Sequence, residues 1–210
     1  MMTKYSLPEN WQQLDQRIRR EDEDRWLSSR YAPLPERRRM IALYALNLEL
    51  AKVRLVVSEP GLAAIRFQWW RDVAAEMEAG KRARGHDIVQ AIYDAEISSK
   101  IVSGLVAGHE VALEANDRAQ EPEVLLMRVA AGLLVKAHAW GPHIEELAPA
   151  YAAARRGEPD EREAVVPAVP RDIRPAIAHA ALRFDYTAER SPGGFRKRFR
   201  VMRAMMNGVV

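Results

Sequence analysis

Two acidic side chains four residues apart on a helix point the same way. That is the simplest device for holding a hard cation or sharing a proton. Two such pairs occur here, Asp72 with Glu76 and Glu110 with Glu114. Glu145 and Glu146 are adjacent and so point apart. Helix surfaces carry such acids routinely, and a solvated face is the plainer reading of all of them. The five histidines, His86, His109, His138, His143 and His179, are scattered. Gly141-Pro142 separates His138 from His143, so no helical spacing joins them as ligands. No HExxH, GxxxxGK[ST], GxGxxG or GxSxG is present, which removes zincin, nucleotide-loop and serine-hydrolase chemistry. The chain has no cysteine, so it holds neither disulfides nor thiolate metal sites. These residues predict no metal site.

The other chemical signal is cationic. Between Phe195 and Met206 the apolar residues Phe195, Phe199, Met202 and Met206 recur at i, i+4, i+7 and i+11. Arg196, Lys197, Arg198, Arg200 and Arg203 stand among them with no acid. Such a helix suits an anionic membrane surface or an acidic partner. Packing on the rest of the chain, with basic residues favoured near the helix C-terminus, is the equal alternative. No aromatic platform accompanies the charge, so no nucleic acid is expected. The contact residues this names are Phe195, Arg196, Arg198, Phe199, Arg200, Met202 and Arg203.

The elements that must position these groups are helical. With 210 residues, 48% of them hydrophobic, and a net charge of +3, the chain suits one folded unit. No apolar run approaches the roughly 20 residues of a membrane span, and Met1 to Asn10 lacks the apolar core of a secretory signal. After a charged opening segment, 11–30, Pro33 and Pro35 start a helix predicted over 36–57. Leu43, Leu46, Leu50, Val53 and Val57 form its apolar stripe. Glu59-Pro60 breaks it, and Pro60 opens a second helix ending at Gly80. Leu62, Ile65, Trp69 and Val73 are predicted to face inward from that second helix. Further helices are predicted over 88–96, 99–115, from Pro122 to the Gly141-Pro142 break, and on to Arg156. Leu125, Leu134, Val135 and His138 form the predicted inner side of the Pro122 helix. Residues 157–170 read as a loop, 172–187 as a helix, and Ser191-Pro192-Gly193-Gly194 as a turn before the last helix. The expected architecture is an all-α bundle, with a domain over 1–190 and the basic amphipathic helix over 191–210.

Arg30-Tyr31-Ala32-Pro33, Arg37-Arg38, Ala42-Leu43-Tyr44-Ala45 and the run Arg66-Phe67-Gln68-Trp69-Trp70-Arg71 resemble the start of squalene/phytoene synthases. The resemblance is strongest over 26–79 and fades in the last third. It implies a single-domain bundle of the isoprenoid (prenyl) synthase type, with a cavity lined by apolar helix faces. In such enzymes the helix bearing the Tyr44 run carries two aspartates four apart, which hold magnesium and a diphosphate. The matching positions here are Ala51 and Leu55, and an arginine of the enzymes is replaced by Leu48. The best match to the second aspartate motif, residues 147–156, has no carboxylate. The variant Asn47-x-Glu49-Leu50-Ala51-x-Val53, followed by Val57-Ser58-Glu59, resembles the family's non-catalytic branch, which includes the mitochondrial assembly factor for respiratory complex I.

The resemblance therefore implies a catalytically inactive family protein. It would act in binding or assembly near the inner membrane, cytoplasmic or peripheral, on an isoprenoid lipid or a respiratory-complex protein. No catalytic residue and no cofactor are expected. The alternative is a prenyl transferase with a degenerate metal site, which alone would need magnesium. The ligand-binding candidates are Tyr44, Asn47, Lys52, Arg54, Arg66 and Trp70. Lys52 and Arg54 could meet an anionic headgroup directly, where the enzymes use a metal. Tyr44 and Trp70 could equally be core aromatics. Asn47 could belong to a polar network, and Arg66 could pair with a nearby acid.

Overall fold

The computed structural model describes residues 9–56, 60–158, 166–187 and 191–210. Among them are ten α-helices: α1 (Glu9–Glu21), α2 (Glu23–Ser29), α3 (Leu34–Val56), α4 (Pro60–Glu78), α5 (Asp87–Asp94), α6 (Ser99–Glu114), α7 (Glu123–Leu134), α8 (Gly141–Arg156), α9 (Arg174–Ile177) and α10 (Gly194–Asn207). Three short 3₁₀ segments, Arg118–Gln120, Arg171–Ile173 and Ala178–Phe184, join them. The predicted all-α class is what the chain adopts.

α3 is the central element and packs on α1, α2, α4, α5, α6 and α7. Its predicted stripe explains why. Leu43, Leu46 and Leu50 are fully buried, so no water-sized space touches them, and Val53 extends the same face. Val57 and the Ser58-Glu59 hinge lie outside the described residues. α4 lies mainly along α6. α6 comes so close to the start of α7 that a Cβ on Gly108 would stand 2.5 Å from Pro122 Cβ. Only glycine permits that approach. α8 stops at Gly157, which takes the left-handed conformation at φ 75°.

Several expectations are corrected. On α4 the inward residues are Ala63, Phe67, Trp70, Val73 and Ala74. Leu62 and Ile65 face outward, Ile65 being 66% exposed, and Trp69 is only half-buried. The spacing 63, 67, 70, 74 is as good a helical stripe as the predicted one. Its smaller alanines let α4 approach its neighbours more closely. α7 ends at Leu134, and Val135 turns to extended backbone at φ −138°. Its buried side is Leu126, Met127, Ala130, Ala131 and Leu133, while Leu125, Leu134, Val135 and His138 are half-buried. The predicted helix over 172–187 is divided between α9 and its two flanking 3₁₀ segments. Residues 175–182 are buried on every side, so neighbouring elements set their winding more than helix propensity does. The charged opening segment folds into α1 and α2.

Candidate functional site

The six ligand-binding candidates do not share one pocket. Tyr44 is buried, its ring facing the Arg25 guanidinium at 6.0 Å, and its hydroxyl finds no hydrogen-bond partner among the described residues. Asn47 Oδ1 lies 3.0 Å from His109 Nε2 across the α3–α6 contact. Burial, helped by the positive charge of Arg54, lowers His109 to about 4. The ring is neutral at pH 7, and its Nε2–H donates to Asn47. Arg54 pairs with Glu121. Lys52 points to the other side of α3 and pairs with Glu21, which also meets Arg17 and Arg20. Glu49 is held by Arg17. Both cations proposed to meet a headgroup are thus engaged by acids of the chain.

Arg66 and Trp70 do come together. With Glu49, Val53, Trp69 and His86 they line a groove of about 240 Å³ beside α3 and α4. Trp70 forms its floor, 3% exposed, with Trp69 edge-on against it at 4.9 Å and His86 at 5.8 Å. Arg84 lies over the Trp69 ring and clasps Glu76. At least one acid of each carboxylate pair noted in the sequence is likewise engaged. Asp72 accepts from Gln68, Glu110 meets Arg71, and Glu145 meets Arg128.

A buried ionic centre between α2, α7, α8 and α10 has no counterpart among the sequence-derived candidates. Asp22, Asp24 and Arg25 are each 5% exposed or less. Arg25 donates to Asp22 (2.5 Å) and to Glu123 (2.5 Å), and Arg155 reaches Asp22 at 3.2 Å. Asp24 Oδ2 accepts from Tyr151 (3.0 Å) and Tyr186 (2.5 Å), while Lys197 Nζ stands 2.7 Å from Oδ1. Three carboxylates therefore face three cations. Burial alone would raise the Asp22 carboxyl, but Arg25 and Arg155 outweigh it and hold it at about 2. His179 lies edge-on to Tyr151 at 4.8 Å, and neither ring nitrogen has a partner among the described residues. Burial, then the nearby Arg25, drives its pKa well down, so it adds no charge. Buried ion pairs hold only when each charge is compensated with good geometry. The one sequence signal was the run Glu21-Asp22-Glu23-Asp24 beside Arg25, whose alternate acids Asp22 and Asp24 turn inward.

On α10 only Val201 and Ala204 are buried. Arg196 and Arg200 clasp Asp185, and Lys197 reaches Asp24. Phe195, Phe199, Met202 and Met206 face outward, Phe195 being 83% and Met206 72% exposed. No described helix is long and apolar enough to cross a membrane.

The sequence model of squalene/phytoene synthase matches residues 18–126, just over half of the chain. The chain belongs to the squalene/phytoene synthase family. No curated protein and no solved structure matches it. The family's all-α isoprenoid synthase fold agrees with the bundle seen here. The matched region carries α3, the helix on which the resemblance places the family's first metal motif. Magnesium needs oxygen donors, preferably carboxylates. Ala51 stands one turn from Asn47 and one turn from Arg54, and both flanking side chains are tied to His109 and Glu121. The side chain of Leu55 lies outside the described ones, but its type is no donor. Along α8 the segment 147–156 is again free of carboxylates. Among the described residues no group of three His, Cys, Asp or Glu side chains could hold a metal. The described residues do not fit the family's magnesium.

Proposed function

We propose that this chain is a catalytically inactive member of the squalene/phytoene synthase family, one that works by binding or assembly near the inner membrane. Its companion is an isoprenoid lipid or a respiratory-complex protein. The observation that supports this reading is the state of the α3 face around Ala51. Where a metal-binding carboxylate would project, the chain has a methyl group between two closed polar pairs, Asn47–His109 and Arg54–Glu121. Ionisation of a prenyl diphosphate leaves a pyrophosphate that must be neutralised. Lys52 and Arg54 are already engaged by Glu21 and Glu121 and offer no spare charge for it.

The test is incubation of the purified protein with farnesyl or geranylgeranyl diphosphate and magnesium. The expected result is no release of diphosphate above a control without protein. Magnesium-dependent product formation well above that control would overturn the reading. The binding half predicts a lipid or protein companion retained through purification from cell membranes, seen by native mass spectrometry. A chain that emerges bare under conditions that preserve other peripheral complexes would count against it.

A further inference from the structure

α10 has two faces with different tasks. Its spacing assigns heptad positions: Phe195 and Met202 at d, Phe199 and Met206 at a. The opposite positions hold the helix to the bundle. Val201 and Ala204 are buried, Lys197 meets Asp24, and Arg200 meets Asp185. Arg174 binds the carbonyls of Met205 and Met206 and fixes the far end. The a/d seam is therefore presented on a fixed helix, facing outward. Beside it runs a groove of about 510 Å³, with Trp26, Leu27 and Tyr31 as its other wall. Arg30 and Arg198 line the same groove.

We infer that this groove docks one amphipathic helix of a protein partner, with an apolar heptad seam and acidic flanking residues. Three observations select that occupant. An a/d stripe is the narrow seam that a second helix fills by interlocking side chains, whereas a membrane-lying helix buries a broad apolar face and leaves its opposite side in water. Here the opposite side is inside the bundle. The flanking e and g positions are Arg196, Arg198, Arg203 and Met205, and such positions set partner choice by charge. A second copy of this chain would bring arginine against arginine in either orientation, while glutamates on a partner would complement them. Finally, Lys197 and Arg200 are turned onto Asp24 and Asp185, while Arg196 and Arg198, although they also meet Asp185 and Glu23, stay 69% and 57% exposed, so the accessible charge lies beside the a/d seam and not over a broad lipid-facing surface. The inference deepens the binding reading above and rests on it only in that the chain acts by capture. Turnover of a prenyl diphosphate would overturn that reading and leave this surface standing.

The probe is a fluorescein-labelled peptide roughly three heptads long, with leucine at a and d and glutamate at e and g. Its counterpart carries lysine at e and g. Fluorescence anisotropy with the full chain should show binding of the glutamate peptide and at least about tenfold weaker binding of the lysine peptide. Arg198→Glu with Arg203→Glu should reverse that order. Phe199→Asp with Met202→Asp should abolish binding and leave Tm unchanged, because both side chains are already exposed. Equal binding of the two peptides, or no binding of the glutamate peptide, overturns the proposal. So does sedimentation as a dimer that the Phe199/Met202 variant abolishes. Attachment to vesicles of phosphatidylglycerol and phosphatidylcholine that needs Phe199 and Met202, without peptide binding, would assign the surface to membranes instead.

Discussion

Replacing Arg25 by methionine tests the buried ionic centre. Methionine keeps most of the apolar stem but removes a cation that is 4% exposed and bonded to two acids. Glu123 loses its buried partner, and Asp22 keeps only Arg155 at 3.2 Å. Breaking a buried pair from one side costs about 3–5 kcal/mol, because the remaining charge is stranded away from water. For a chain of this size that is roughly a 6–20 °C fall in Tm. The pH dependence separates charge from packing. In the native protein Asp22 sits at about 2, below its ordinary 3.8. Its contribution is fully present above the ordinary value and is lost only as pH falls through the folded one. Between pH 7 and 4.5 this group therefore leaves native stability unchanged. In the variant, burial without Arg25 raises the stranded Asp22 carboxyl instead. A raised acid penalises folding most at high pH and least once both states are protonated. Urea denaturation of both proteins at pH 7 and pH 4.5 should show a gap at pH 4.5 smaller by about 1–2 kcal/mol. A gap of equal size at both pH values would mean that Arg25 matters as a spacer and not as a charge. A Tm shift under about 3 °C would refute the network altogether.

Trp70→Ala should destabilise by about 3–5 kcal/mol and Trp69→Ala by about 1–2 kcal/mol, since only Trp70 is buried in the core; thermal melts in the opposite order would overturn the assignment of the α4 face. His109 is held at about 4 against an ordinary 6.5. Its neutral ring therefore contributes stability in full above pH 6.5, and that contribution is lost as pH falls toward 4, about 3 kcal/mol in all. His109→Gln, whose amide can still donate to Asn47, should flatten that part of the pH–stability curve, and parallel native and variant curves would refute the role.

Much of this molecule is legible from local chemistry. Proline at first turns and the 3–4 spacing of Leu43, Leu46, Leu50 and Val53 specify α3 without reference to any partner. The same is true of the a/d spacing on α10, and of Ala51 and Leu55 where the family's aspartates would stand. Residue type alone denies those positions to a metal. What the sequence leaves open is which of two stripes a helix buries. On α4, Leu62, Ile65 and Trp69 compete with Ala63, Phe67 and Trp70 at equal periodicity, and only the closeness of α6 decides for the side bearing the smaller residues. The ionic centre is hidden for a related reason. Asp22, Asp24 and Arg25 look like a solvated charge run, and they can be buried only because Glu123, Tyr151, Arg155 and Lys197, about 100 to 175 residues onward, supply the compensating groups. Periodicity reports on neighbours three and four residues away. Compensation of a buried charge depends on groups that only the folded chain brings within 3 Å.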